Sequence, residues 1–385
     1  MAFFAEVVMF EPYPFERLNA LLGDVTPAIK PLDFSIGEPQ FETPYSIQKA
    51  LKEHTSDLRF YPKSKDTQFL KEAQISFIKR RFGLDLQKWQ IIPTLGSKEV
   101  LFGFPLFYLH NKHSPKMAFS NPFYKVYLAS ARMARAEVIF MDLSKENNFT
   151  PLLPKDSKPD LVILNSPNNP TGRTLDLEEL KTWVLRALEE DFVLLNDECY
   201  SNIYSATPPP SILEACKLVG NFEFKNVLAV NSISKSLSAP GLRSGYIAGD
   251  ASILAAYQTL RSYSGCAIPL PLQHASAIGW LDNHAQQSIQ EIYATNLKLA
   301  QEILQVPIFP TSFYVWLEVP DGQKFTRYLY EQTGLKVLPG SFLSYLESPH
   351  TRDFVRIALV QTPEILKPAL ERLKSTLETY KFYPC

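Results

Sequence analysis

The sequence predicts an α/β protein, with a large domain built on a mostly parallel sheet and a smaller α/β domain beside it. Three observations carry this expectation. At 385 residues the chain is longer than one small core organises, and two domains are the usual solution. Between about residue 90 and residue 250, short runs rich in Val, Ile, Leu and Phe alternate with longer helical patterns, as in a sheet with crossover helices. After Asp250 the alternation gives way to a helical stretch, two further strands and a closing helix.

In chain order the expected strands are Gln90 to Leu95, Lys116 to Ser120, Glu137 to Leu143, Leu161 to Leu164, Phe192 to Asn196, Val227 to Asn231 and Gly245 to Gly249. Several are apolar throughout, which points to burial on both faces under helices. Such sheets bind ligands at the carboxyl ends of their strands. The helical pattern then runs to about Leu304, followed by strands at Phe313 to Val319 and Phe354 to Leu359 and a last helix from Pro363. The first forty residues lack strong periodicity and are expected to pack against this second unit.

Composition narrows the function. With 45% hydrophobic and 21% charged residues the chain can bury a substantial interior. It carries 39 basic and 40 acidic side chains, a net charge of −1, so no excess field draws it to nucleic acid or anionic lipid. Cys199, Cys216, Cys266 and Cys385 form no CxxC pair, which indicates neither a metal site nor a disulfide framework and suits a reducing cytoplasm. The opening run MAFFAEVVMF is broken by Glu6, follows no basic residues and precedes Pro12 and Pro14, so it does not read as a signal peptide. No stretch approaches the roughly 20 apolar residues of a membrane helix.

The chemistry-bearing residues gather at strand ends: Thr94-Leu95-Gly96-Ser97-Lys98, Asn165-Ser166-Pro167-Asn168-Asn169-Pro170-Thr171-Gly172, Asn196-Asp197-Glu198-Cys199-Tyr200 and Asn231-Ser232-Ile233-Ser234-Lys235. One sheet edge then presents an amine, a carboxylate, a phenol and hydroxyls, a set that matches an anionic carbonyl cofactor such as pyridoxal 5′-phosphate (PLP). Only a primary amine can form the imine that holds PLP, and Lys235 is the best-placed lysine. Asp197 is positioned to sit against the pyridine nitrogen and keep it protonated, and Tyr200 to reach the ring hydroxyl. Ser97, Ser232 and Arg243 offer a phosphate cup, aided by backbone amides of the helix after Gly96. Taken singly each has a plain reading: Asp197 as a cap or turn former, Lys235 and Arg243 as surface charges, NPTG as a turn. Together their order and spacing are specific.

These motifs resemble the class I and II aminotransferases of the aspartate aminotransferase fold, over nearly the whole chain. The resemblance implies a PLP-dependent transferase of fold type I, with a large domain over residues 44–286 and a small one from residues 1–43 and 287–385. It implies that Lys235 carries PLP, that Asp197 meets the ring nitrogen, and that Asn169 and Tyr200 bond the ring oxygen. Tyr124 resembles the aromatic that stacks on the ring, and Ser97, Lys98, Ser232 and Arg243 match the phosphate cup. Tyr61 matches a tyrosine that reaches the neighbouring subunit's phosphate, which implies a homodimer with shared sites. Arg356 matches the arginine that grips the substrate α-carboxylate, with Gly37 and Asn169 lining the same place. In such an enzyme Lys235 moves the substrate Cα proton, a 2-oxo acid leaves, and 2-oxoglutarate accepts the amino group, giving ping-pong kinetics.

A closer resemblance is to the proteobacterial N-succinyl-diaminopimelate aminotransferases of lysine biosynthesis. It rests on Tyr13-Pro14-Phe15-Glu16-Arg17-Leu18, Ile36-Gly37-Glu38-Pro39, Asn121-Pro122-Phe123-Tyr124, Asp197-Glu198-Cys199-Tyr200-Ser201, Pro240-Gly241-Leu242-Arg243-Ser244-Gly245 and Ala248-Gly249-Asp250-Ala251. Asp66, where the wider family generally has glycine, and Ser236-Leu237-Ser238, in place of more basic text, depart from the pattern. That substrate needs a second cationic site for its distal carboxylate, for which Arg17 and Arg261 are candidates. An aspartate or aromatic aminotransferase, a C–S lyase and a non-catalytic regulator are the alternatives. The regulator fits least, since the enzyme-like text begins by Tyr13 and leaves no room for a DNA-binding module.

Overall fold

The computed structural model describes residues 10–65, 68–346 and 348–380. Asp66 and Cys385 lie outside them. A seven-stranded sheet holds β2 (Ile91–Thr94), β3 (Lys116–Asn121), β4 (Glu137–Asp142), β5 (Leu161–Asn165), β6 (Val193–Asp197), β7 (Val227–Ser232) and β8 (Gly245–Gly249), in the order β2-β8-β7-β6-β5-β3-β4. Strands β4, β3, β5, β6 and β7 pair in parallel, whereas β8 runs antiparallel to both β7 and β2. All but β8 therefore end at one edge, and β8 starts there.

Burial explains the apolar strand text. Leu194, Val162, Leu164 and Ala229 pack into one core on one face of the sheet, while Val193, Leu195, Leu161, Ile163, Leu228 and Val230 pack into a second core on the other. Side chains alternate across a strand, so a sheet covered on both faces needs apolar residues at every position. The covering helices start where the sequence can cap them: Asp176 accepts from the Glu179 amide at 2.9 Å while Glu179 accepts from the Asp176 amide at 2.8 Å, opening Leu177–Glu189. Strand β4 is the exception, a partly exposed edge with polar residues at both ends.

The second layer is made from both ends of the chain. β9 (Tyr314–Glu318), β12 (Phe354–Ala358) and β11 (Leu338–Pro339) form an antiparallel sheet, and β1 (Leu32–Asp33) pairs in parallel with β10 (Leu335–Lys336). The Ala358 amide donates to the Phe34 carbonyl at 2.8 Å, tying the N-terminal segment to β12. The helix Pro14–Leu22 buries Leu18 and Leu22 in a small core with Trp316, Tyr330, Leu338, Phe342 and Phe354. We keep the division into 44–286 and 1–43 with 287–385 as a proposal; the continuous helix Asn283–Leu304 runs across its second boundary.

Candidate active site

Where the strand ends meet the second layer lies a cavity of about 480 Å³. Its walls include Gly37, Ser97, Lys98, Tyr124, Asn169, Asp197, Tyr200, Ser232, Lys235, Arg243 and Arg356. Every residue expected at the cofactor and the α-carboxylate except Tyr61 is thus brought together. Tyr61 is 98% exposed and stands outside the cavity of its own chain.

Asp197 closes β6 and is buried. The Tyr127 hydroxyl donates to its Oδ2 at 2.8 Å and the Cys199 amide to its Oδ1 at 3.2 Å. Burial pushes its carboxyl up from the usual range, and those bonds pull it back down. Lys235 sits in the short helix Ile233–Ser236, capped by Ser232, whose Oγ accepts from the Ser234 amide. The lysine amine donates to the Gly37 carbonyl. Burial lowers its pKa to about 8, so a substantial neutral fraction is available near neutrality.

Arg356 projects from the middle of β12, buried, with Nη1 donating to Asn169 Oδ1 at 2.9 Å and Nη2 to the Ser35 carbonyl. Its guanidinium lies 4.4 Å from the centre of the Tyr314 ring, while its Nε has no hydrogen-bond partner. Asn169 is fixed in turn: its amide donates to Asn165 Oδ1 at 2.7 Å, and Asn165 Nδ2 donates to the Asp197 and Pro167 carbonyls. Tyr200 is buried with its hydroxyl 3.3 Å from that of Tyr314.

At the opposite end Gly96 precedes the helix Ser97–Leu109 with φ of +81°, a conformation that favours glycine. A Cβ there would fall 2.6 Å from Arg243 Nη2. Arg243 is itself left-handed, φ 53°, and is held by the Leu95 and Pro240 carbonyls at 3.0 and 2.8 Å. Ser232 Oγ lies 2.8 Å from Ser234 Oγ. This end gathers cations, hydroxyls and a helix N-terminus, the donors an anion needs.

Residues 29–373 match the family described as Aminotransferase class I and II. The chain belongs to that family. A solved structure similar to this aminotransferase is aminotransferase AspB from Helicobacter pylori 26695, 51% identical, covering 96% of this chain and 100% of its own, with a TM-score of 0.95. The putative aminotransferase AatC of Rhizobium meliloti (strain 1021) is 29% identical over 98% of this chain and 96% of its own. The LL-diaminopimelate aminotransferase of Dehalococcoides mccartyi is 30% identical over 85% and 87% respectively.

The family works with PLP, and the residues of this aminotransferase fit it. A buried amine, a buried carboxylate held by two donors, and a glycine turn where a Cβ would strike Arg243 line one cavity. We propose that Lys235 holds the cofactor through Nζ, that Asp197 faces its ring nitrogen, that Tyr124 stacks, that Asn169 and Tyr200 bond the ring oxygen, and that Ser97, Lys98, Ser232 and Arg243 receive the phosphate.

Sequence reasoning missed Tyr127, which holds Asp197, and Tyr314, which contacts both Tyr200 and Arg356. Tyr127 has a signal, one helical turn beyond Tyr124. Tyr314 lies inside an apolar strand and has none. Arg261 is a correction: it is buried, bonded to Glu99 at 2.7 and 3.1 Å, and does not line the cavity. Arg17 lies over the Phe342 ring at 4.1 Å, outside the lining residues. Ser238, from the departing triplet, donates to the Phe41 carbonyl and accepts from Thr43, so it fastens the N-terminal segment.

Proposed function

We propose that this aminotransferase takes an amino group from N-succinyl-LL-2,6-diaminopimelate and passes it to 2-oxoglutarate, in the diaminopimelate route to lysine, as a cytoplasmic homodimer. One observation carries the choice of a long donor. Beside Arg356 the cavity is walled by Tyr13, Phe15, Leu338 and Leu343, apolar surface suited to an extended side chain. Relatives named as LL-diaminopimelate aminotransferases support the same chemical class.

Bound PLP supplies the electron sink that lets a bond at the substrate Cα ionise. Arg356 orients the donor by gripping its α-carboxylate, a planar fork on a planar anion. Its buried Nε has no hydrogen-bond partner, which leaves a donor for that carboxylate. Lys235 would be the amine that moves the proton at Cα; burial, which lowers its pKa to about 8, suits it to act as a base near neutrality. Asp197, fixed by Tyr127, would set its carboxylate against the ring nitrogen.

The test is kcat/KM for a panel of amino donors with 2-oxoglutarate. N-succinyl-LL-2,6-diaminopimelate is expected to lead. Aspartate or an aromatic amino acid exceeding it tenfold, about 1.4 kcal/mol of transition-state discrimination, overturns the substrate reading. Release of ammonia and pyruvate from cystathionine points instead to a C–S lyase.

A further inference from the structure

The lining of the cavity includes one cation that neither the cofactor nor the α-carboxylate requires. Lys125 precedes the helix Val126–Met133 and lines the cavity together with Tyr13, Phe15 and Leu343. Its side chain is 12% exposed. Nζ donates to the Ser344 carbonyl at 2.8 Å and lies 5.0 Å from the Phe123 ring centre. Among the described residues the carboxylate paired with it is Glu11, whose Oε2 is 3.6 Å away, too far for a hydrogen bond and on a side chain 42% exposed. The same carboxylate stands 3.8 Å from Arg132.

We infer that Lys125 is the receptor for a carboxylate at the far end of the donor's side chain, and that Glu11 is a loosely held counter-ion which that carboxylate displaces. The inference rests on the long-donor reading above and assigns it a residue. An ammonium has three donors, and Ser344 uses one. Removing the rest from water without strong partners is costly, so an incoming carboxylate gains a charge-assisted bond at a site already desolvated. Glu11 competes weakly because a half-exposed ion pair at this distance is worth little.

The charge balance agrees. The charges felt most strongly at Lys125 are Glu11, Arg17 and Arg132, three cations with Lys125 included against one carboxylate. Arg356 stands on β12 and Lys125 before the helix Val126–Met133, so the two cations reach the cavity from different elements. Two anchors joined by apolar wall select a side chain that is long, apolar in the middle and acidic at its end. A neutral or aromatic side chain leaves the ammonium without its carboxylate.

The experiment uses the holoenzyme and the half-reaction without acceptor, followed by the cofactor's absorbance. Donors are paired so that only the end group differs: 2-aminoadipate against norleucine, with N-succinyl-LL-2,6-diaminopimelate as the long acid. Lys125→Met is expected to lower the acidic-to-neutral ratio of kcat/KM by roughly 10- to 100-fold, the worth of a hydrogen bond to a charged group. Lys125→Arg should keep most of the ratio, and Glu11→Gln should raise it severalfold. Calorimetry with pimelate, which cannot react, gives the same comparison as a dissociation constant.

A ratio unchanged in Lys125→Met, with wild type still preferring acidic donors, overturns the role of Lys125 and leaves the long-donor reading standing. Wild type preferring neutral or aromatic donors overturns that reading itself. Equal loss toward both donors of a pair assigns Lys125 to folding, against the inference, and an unaltered ratio in Glu11→Gln removes the displaced counter-ion.

Discussion

Lys125 and Lys235 are both lowered to a pKa of about 8 by burial, and they titrate different steps of one reaction. Each is charged below that value and loses its proton above it. Lys235 acts on every donor, so it cancels from a ratio of acidic to neutral donors, whereas Lys125 acts only on the acidic one. The acidic-to-neutral ratio of kcat/KM, which reports the free enzyme, should therefore hold below pH about 8 and fall as pH rises through it. The groups facing the ammonium are the Glu11 carboxylate, Arg17, Arg132, the Ser344 carbonyl and the Phe123 ring. In Lys125→Arg the fall should vanish, because a guanidinium stays charged. A flat ratio in wild type contradicts the assignment. Asp197 gives a second prediction. Asp197→Ala should bind PLP yet lose roughly 100-fold or more in kcat, as when a fixed charge is removed from an active site. Tyr127→Phe, which deletes one bond to that carboxylate, should cost about tenfold in kcat with KM little changed. Near-normal turnover in Asp197→Ala refutes its role.

The strand ends show at the element scale why so much was legible and where legibility stopped. Strands β5, β6 and β7 announce themselves because burial on both faces demands unbroken apolar text, and the polar residues that end them, Asn165, Asp197 and Ser232, line the site. The two-residue strands β1, β10 and β11 are too short to carry a period, and the pairing of Leu32 in β1 with Leu335 in β10 joins opposite ends of the chain. Arg261 was misread for a related reason. A sequence shows an arginine but not the carboxylate that folding brings to it, and Glu99 lies 162 positions away. That pair does a job of its own. Glu99 Oε2 also accepts from the Leu95 amide at 2.8 Å, so one carboxylate links the helix Ala251–Arg261 to the turn before Gly96. Glu99→Ala should destabilise the protein by about 3–5 kcal/mol, because it strands a buried guanidinium. It should also weaken PLP binding by loosening that turn. Urea unfolding and a cofactor titration check the two effects, and a fully stable variant with native affinity shows the pair to be dispensable.

At the scale of the whole molecule, the site is built by two layers that neither end of the chain supplies alone. The large sheet brings Lys235 and Asp197, the second layer brings Arg356 and Gly37, and the Lys235 bond to the Gly37 carbonyl joins them. Tyr61 has no place in this arrangement within one chain, although the sequence assigns it to the phosphate. A tyrosine that is 98% exposed in the monomer is either surface or the property of a second subunit. Donation across a two-fold interface predicts complementation: a Tyr61→Phe chain keeps its own Lys235, and a Lys235→Ala chain keeps its own Tyr61. When the two impaired proteins are unfolded together at equal amounts and refolded, about half of the dimers should be mixed. Each mixed dimer then holds one site with both Lys235 and a donated Tyr61, which restores about a quarter of the wild-type sites. If Tyr61 served its own chain, every mixed dimer would pair a site lacking the phenol with a site lacking the amine, and no activity would return. Size-exclusion chromatography of the refolded mixture separates a failure to dimerise from a failure to complement, and a fully active monomer rules out the shared site.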